Sequence, residues 1–252
     1  MLNSPRLHHT LAALAASAVL GGCGSSTAPP EAAPMMSAPT TATFEVTLLN
    51  LTAGQPLSPM VAIVHGDAFS VFTVGEAASV ALEHLAEGGE SAPLAALAND
   101  SKSVFATAVA SGGLAPVADS RTTVTLTVPL DKLPVLRLSM AAMLGNTNDG
   151  FAGLAGQSIG TLAIGASSSV RLNAYDAGTE LNTESADSVP GPATAGANGK
   201  REAFNATRDD VINTVHVHPG VVSKDDGLPT SALTQQQRWN NSVALLTIVR
   251  TR

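Results

Sequence analysis

Two aspartates of this sequence stand where a cation could bind. Asp149 follows a predicted strand that ends at Leu144, and Asp176 ends the predicted strand 169–176. Calcium takes about six to eight oxygen ligands, and loop carboxylates are the common donors. Two strand ends at one edge of a sheet would bring these carboxylates together. Because Asp-Gly and Asp-x-Gly also favour turns without any metal, both interpretations, calcium ligands and turn formers, stay open.

A pair of histidines forms the second candidate site. His216 and His218 are separated by one residue, so in a strand their rings lie on the same face. That arrangement suits a transition metal, for which His65 or Asp209 are candidate third ligands. The alternative is a pair of hydrogen-bonded histidines at a strand end, before the Pro-Gly turn at 219–220.

The composition excludes several classes of protein. The chain has 13 Lys and Arg against 20 Asp and Glu, a net charge of −7, whereas a nucleic-acid-binding face is basic. Its one cysteine cannot form an internal disulfide or a cysteine-based zinc site. The chain contains no Gly-rich nucleotide loop, and we expect no enzyme and no nucleic-acid partner.

The single cysteine follows an apolar segment. Leu11–Leu20 is shorter than the roughly 20 residues that span a bilayer, and its length is typical of a signal peptide. The following Leu20–Cys23 resembles the lipobox of bacterial lipoproteins, in which the cysteine is lipidated after cleavage. We therefore predict a lipoprotein signal peptide over 1–22 and a lipid anchor at Cys23, with a plain secretory signal as the alternative. Gly24 resembles the pattern of outer-membrane lipoproteins.

The rest of the chain divides into a linker and one domain. Residues 23–42 are rich in Ser, Thr, Ala and Pro, a composition typical of a flexible linker. The domain is predicted over 43–252. An anchored protein of this kind would lie in the cell envelope, on the outer membrane, the cell surface or in the periplasm, with the membrane as a partner.

Alternating apolar and polar residues predict short strands that position the candidate sites. Helical patterns occur in a single insertion, over 76–88 and 93–98. The longest predicted loop covers 177–211. The fold class is therefore all-β, an antiparallel β-sandwich with a short helical insertion. Strands are predicted near 43–51, 60–66, 70–75, 121–128, 134–144, 169–176, 213–218 and 242–250.

Three stretches together resemble the spondin N-terminal domain. They are Asn148–Gly153 with the letters NDGFAG, Tyr175–Glu180 with the letters YDAGTE, and the closing strand Val243–Arg250. The opening strand Phe44–Leu51 and the helix end LEHLAEGGE also fit. The resemblance covers most of 43–252 and implies a C2-like sandwich with a calcium site in its loops.

The resemblance also implies particular ligands. Asp149 and Asp176 match the metal carboxylates of the family, with a backbone carbonyl near 144–145 as a further oxygen. The glutamate that animal members supply falls near Thr127 here, which carries no charge. Glu180 or a water would have to compensate for it.

These observations predict a binding or adhesion module. Loops on a rigid sandwich are where ligand contact would occur, and the ligand would be a protein or a glycan of unknown identity. Calcium is the candidate cofactor. The two alternatives are a metal-assisted extracytoplasmic hydrolase that uses His216 and His218, and a purely structural envelope lipoprotein.

Overall fold

A computed structural model describes residues 38–252 of the chain. The predicted signal peptide, Cys23 and most of the predicted linker lie outside the described residues. Within them, the strands and helices follow one another in this order: β1 (Thr41–Asn50), β2 (Val61–His65), α1 (Val80–Gly88), α2 (Ser91–Asn99), β3 (Val104–Val109), β4 (Arg121–Pro129), β5 (Arg137–Met143), β6 (Gly150–Ser158), β7 (Ser167–Asp176), β8 (His216–Val217) and β9 (Ala244–Arg250).

The strands form one antiparallel, nearly closed sheet that folds over itself as a sandwich. Its order is β3-β2-β5-β6-β7-β9-β1-β4, and β8 pairs with the end of β7. β7 belongs to both layers, because residues 167–172 pair with β9 whereas residues 173–176 pair with β6. The predicted all-β antiparallel fold is confirmed.

The main core lies between the two layers. The predicted inward row of β1, Phe44, Val46 and Leu48, is fully buried there. The inward residues predicted for β4, β5 and β7 lie in the same core, with Val170 only partly buried. The outer face of β1 and β4 is polar, with hydrogen bonds between threonines such as Thr47 and Thr123 at 2.8 Å. Period-two alternation therefore predicted this layer correctly.

The layer that contains β2 and β5 is buried on both faces. The second face of β2 packs against the two helices, where Ile63 lies in one apolar cluster with Leu82 of α1 and Leu94 of α2. α1 begins at Ser79, whose side chain accepts the amide of Leu82 at 3.2 Å. It ends at Gly89, whose φ of 69° lies in the left-handed region, which is unfavourable for a residue with a side chain.

Three parts of the predicted strand pattern are wrong. Residues 70–75 form turns, and Phe72 packs edge-on against Phe151 instead of joining a ladder. Two strands, β3 and β6, were not predicted, because β3 is half-buried throughout and β6 is rich in Gly and Ala. The strand predicted over 213–218 is reduced to the two residues of β8. The predicted helices are present but begin and end elsewhere, at Val80–Gly88 and Ser91–Asn99.

The long loop between β7 and β8 packs back onto the sandwich and α1. Arg208 from this loop bonds Glu83 of α1 at 2.6 Å. The amide of Asn205 donates to Glu87, one turn further along α1, at 2.8 Å. Among the described helices, none combines the length and apolar character that a membrane crossing would need.

Candidate metal centre

The two predicted aspartates lie at the same end of the sandwich. Asp176 is the last residue of β7 and pairs with Gly150, the first residue of β6. Asp149 precedes that glycine, and its carbonyl accepts the amide of Ala177 at 3.2 Å. Both aspartates have no solvent exposure. The pairing of β6 with β7 therefore brings the two residues to the same end of the sheet, where the charge of Asp176 acts on Asp149.

Asp149 is held by the start of the long loop. Its Oδ2 accepts the amide of Thr179 at 2.7 Å, the hydroxyl of Thr179 at 3.1 Å and the amide of Glu180 at 3.1 Å. Its Oδ1 is buried and has no hydrogen-bond partner within residues 38–252. One oxygen thus serves the turn, and the other remains available as a ligand.

Both carboxyl oxygens of Asp176 accept hydrogen bonds. Its Oδ1 accepts the amide of Gly178 at 2.8 Å, and its Oδ2 accepts the side-chain amide of Asn182 at 2.7 Å. Gly178 is required here, since its φ is +70° and a Cβ would lie 2.4 Å from the carbonyl oxygen of Ile212. Both aspartates therefore form the turn contacts that their sequence context predicted.

Two glutamates of the long loop add to this acidic cluster, which comprises Asp149, Asp176, Glu180 and Glu184. The Oε2 atoms of Glu180 and Glu184 are both buried, and neither has a hydrogen-bond partner in the described part of the chain. Glu184 has a left-handed φ of 55°, a strained conformation for a residue with a side chain. Its other carboxyl oxygen accepts the amide of Val222 at 3.2 Å.

The acidic cluster is electrostatically unfavourable as it stands. Burial, followed by the charge of Asp176, raises the pKa of Asp149 to about 8. Burial, followed by the charge of Glu87, raises the pKa of Glu180 to about 9. Burial also raises the pKa of Glu184 to about 7, and the charge of Asp176 adds to this shift. In each case the buried carboxylate lacks a compensating positive charge.

No Lys or Arg of residues 38–252 forms an ion pair with the acidic cluster. Buried carboxylates without a cationic partner either stay protonated or bind a cation. The chemistry of the donors fits calcium, because the free atoms at Asp149 and Glu180 are carboxylate oxygens, the ligands that this ion prefers. Those residues, together with Asp176, would hold the ion.

The Spondin_N family model matches residues 51–196, more than half of the chain. This protein belongs to the spondin N-terminal family. The matched region contains both aspartates, Glu180, Glu184 and the helices. No curated protein matches the chain. Spondin N-terminal domains are a non-enzymatic type of domain, and membership of the family indicates an extracellular module of the binding or adhesion kind.

Two further positions that the resemblance brought into the argument make contacts of their own in this spondin domain. Thr127 is on the exposed face of β4, where its hydroxyl is 3.3 Å from that of Thr43. The carbonyl of Leu144 accepts the hydroxyl of Thr147 at 2.6 Å. A carboxylate that the sequence analysis did not single out, Glu87, is close enough to raise the pKa of Glu180. Glu83 and Glu87 are four residues apart, so they share one face of α1, and both are buried.

The spondin domain places its two candidate histidines in different surroundings. The Nε2 of His216 lies 3.7 Å from Oδ2 of Asp176. His218 is buried, with its ring edge-on to Trp239 at 5.0 Å between centroids, and its Nδ1 accepts the amide of Gly220 at 3.0 Å. Burial lowers the pKa of His218 to about 4, so this ring is neutral at ordinary pH.

The third ligands suggested for the histidine pair are engaged elsewhere. His65 lies under a different surface, where its Nε2 is 2.7 Å from the hydroxyl of Ser139. Asp209 accepts the amide of Leu181 at 2.8 Å. The structure instead brings Asp210 to His216 and Asp176, with one ligand atom from each of the three within 4.8 Å of the others.

Proposed function

We propose that this spondin-domain protein is an exported, lipid-anchored binding or adhesion module that depends on calcium. The observation that carries the calcium dependence is the acidic cluster, whose buried carboxylates have no Lys or Arg partner within residues 38–252. A calcium ion would supply the missing positive charge. Asp149, Asp176 and Glu180 are the residues that would hold it.

Calcium would act on ligand binding through the long loop. Asp149 accepts the amides of Thr179 and Glu180, so the first residues of the loop are already fixed to the ion-binding group. Neutralising the cluster would remove the repulsion that opposes this arrangement. The loop surface would then be rigid enough to bind a protein or glycan ligand without a large ordering cost.

The lipid anchor is proposed from the sequence of the first residues. Cys23 would carry the acyl chains, and the linker 23–42 would hold the spondin domain away from the membrane surface. This places the protein in the cell envelope, on the outer membrane, the cell surface or in the periplasm. Incorporation of a labelled fatty acid into the wild type, and its loss in Cys23→Ser, would be the expected result.

The alternative of a hydrolase based on both histidines has less support. His218 is 3 % exposed and packs on Trp239, so a substrate has no path to it through open space. His216 joins two aspartates rather than His218 in the three-residue group described above.

Thermal unfolding with and without calcium tests the proposed cofactor. A ligand at about 100 times its Kd stabilises a folded protein by roughly 2.7 kcal/mol, so the wild type should melt at a higher temperature with calcium than with chelator. Asp149→Asn should abolish that difference, because the amide can still accept the loop amides but has no charge. Glu45→Gln, a change to an exposed glutamate of β1, is the matched control and should retain it.

An absence of any calcium-dependent shift in the wild type would contradict the proposed cofactor. Capture of partners from envelope extract, with and without chelator, tests the binding role separately. A partner that chelator releases supports calcium-dependent binding. Capture of no partner in either condition supports the alternative of a purely structural envelope lipoprotein.

A further inference from the structure

A second ligand group lies beside the acidic cluster, on the side of β8. It consists of His216, Asp176 and Asp210, each with one ligand atom within 4.8 Å of the other two. His216 stands directly opposite Asp176 in the β7–β8 pairing, so the two side chains leave the sheet on the same face. Asp210 reaches them from the long loop.

The protonation of His216 follows from its backbone contact. Its Nδ1 lies 2.9 Å from the carbonyl oxygen of Thr214, which can only accept a hydrogen bond, so Nδ1 carries the proton. Nε2 is then the nitrogen that offers its lone pair whenever the ring is neutral, and it lies 3.7 Å from Oδ2 of Asp176. A histidine that gives its other N–H to a backbone carbonyl is the usual arrangement of a metal ligand.

The two carboxylates are oriented in the same way. Asp176 accepts the side-chain amide of Asn182 at 2.7 Å, and Asp210 accepts the amide of Ile212 at 3.3 Å. Ligands about 2.0–2.1 Å from a tetrahedral zinc ion lie roughly 3.3 Å from each other. The His216 and Asp176 atoms, 3.7 Å apart, are close to that separation, whereas Asp210, within 4.8 Å of both, would move closer on binding. Two carboxylates and a neutral imidazole also balance a doubly charged ion.

Two buried and unpartnered side chains provide an independent reason to expect an ion here. His218 is 3 % exposed and Glu184 is 1 % exposed. The Nε2 of His218 and the Oε2 of Glu184 have no hydrogen-bond partner among residues 38–252. Both groups lie within the field of Asp176, whose charge acts on the pKa of each. The charge of Asp176 thus acts on one buried group just past β8 and on one in the long loop, each with an atom that has no partner in the described chain.

We infer that His216, Asp176 and Asp210 form a binding site for a zinc-type divalent ion. Its imidazole ligand distinguishes it from the calcium site, which uses oxygen donors alone. The two sites share Asp176, but the inference does not otherwise depend on the calcium proposal. His216 and Asp210 are half-buried, so solvent reaches the group, and water or a donor from a partner would complete the coordination.

Titration of the purified full chain, stripped of metal, with Zn²⁺ by calorimetry tests this site. The wild type should bind one equivalent, and Co²⁺ in its place should give the visible absorption of a tetrahedral ion. His216→Ala and Asp210→Asn should each weaken Zn²⁺ binding at least about tenfold, since even outer-shell changes at metal sites cost about 10–100-fold. The two positions are half-exposed, so the variants should keep the wild-type circular dichroism.

His84→Ala is the matched control, because His84 pairs with Glu90 at 2.9 Å but belongs to no group of three ligands in the described residues. It should retain Zn²⁺ binding, as should Asp149→Asn. In return, His216→Ala should retain the calcium-dependent shift that Asp149→Asn loses, so the two proposals fail separately. A wild type that binds no Zn²⁺ would show that His216 and Asp176 form an ordinary ion pair and would overturn the inference. Equal weakening by His84→Ala would overturn it as well.

Discussion

Glu83 and Asp149 are both buried carboxylates beneath the long loop, and they differ in what neutralises them. The side chain of Glu83 is 3 % exposed and bonds Arg208 at 2.6 Å. Asp149 has no Lys or Arg partner within residues 38–252 and lies beside other acids whose charges oppose its own. The charge of Glu83 is balanced by Arg208, so this carboxylate holds the loop against α1 whether or not an ion is bound. Asp149 requires either a proton or a bound cation to neutralise it.

The long loop is attached to the domain in two different ways, at α1 and at the end of the sandwich. At the α1 end, Arg208 also donates to the carbonyl of Ala78, so its guanidinium closes a local network. At the sandwich end, the amides of Thr179 and Glu180 approach a carboxylate that burial tends to protonate. We therefore expect the α1 attachment to be independent of ions and the sandwich attachment to depend on them.

The largest effect is expected from Arg208→Ala. Removing one partner of a buried ion pair costs about 3–5 kcal/mol, because the other charge stays buried without compensation. The loss should be the same in calcium and in chelator, as measured by denaturant unfolding. The double variant Arg208→Met with Glu83→Gln should recover part of the stability. A loss confined to calcium-containing buffer would contradict the separation of the two attachments.

A smaller effect is expected from pH, through the two carboxyl groups at the sandwich end whose pKa values are raised most. The pKa values of Asp149 and Glu180, about 8 and about 9, are raised above their ordinary values of 3.8 and 4.5. At any pH between the ordinary and the raised pKa values, the folded state therefore binds more protons than the unfolded state. The stabilisation is fully present below about pH 4 and is lost as the pH rises through the folded pKa values.

In chelator, the free energy of unfolding should thus fall by about 2 kcal/mol from pH 7 to pH 8, since each of the two carboxyl groups contributes up to about 1.4 kcal/mol per pH unit. Calcium should reduce the fall, because it binds the deprotonated carboxylates. Asp149→Asn combined with Glu180→Gln should flatten the profile, whereas Glu83→Gln should leave its slope unchanged. A wild-type profile that is flat in chelator would show that the buried acids are already neutralised.

The smallest effect is expected from Ser79→Ala at the start of α1. The loss of a serine N-cap costs about 1 kcal/mol. The side chain of Ser79 bonds the amide of Leu82 and none of the residues of the acidic cluster, so the loss of stability should be equal with and without calcium. Ser101→Ala, which removes a turn contact to the amide of Ser103, is the control and should change stability by less than about 0.5 kcal/mol.

The sequence predicted the strands whose faces differ in polarity and missed those whose faces do not. β1 and β4 alternate between core and solvent, so their inward residues were identified correctly. β6 has small residues along both faces, and β3 is half-buried along its length, so neither shows a period of two. The apolar pattern of 70–75 led to a predicted strand, although Phe72 is buried there within a turn region.

The sequence predicted the part of the candidate site that depends on local patterns. Asp149 and Asp176 could be named because each follows a strand and precedes a glycine. The contribution of Asp210 could not be named, because it depends on how the long loop folds back to the end of β7. The different surroundings of His216 and His218 could not be predicted either. Their spacing indicates one face of a strand, but β8 has only two residues and His218 lies beyond it.

By itself, the sequence determined the class of the fold, its family resemblance and the two aspartates at the strand ends. These properties are local, because alternation, turn residues and short motifs are written in neighbouring positions. The tertiary structure decided which charges face one another. It gave Glu83 an arginine 125 residues away and left Asp149, Glu180 and Glu184 without one in the described chain. Electrostatic energy depends on distance in space and on burial, and neither quantity can be read from the order of residues.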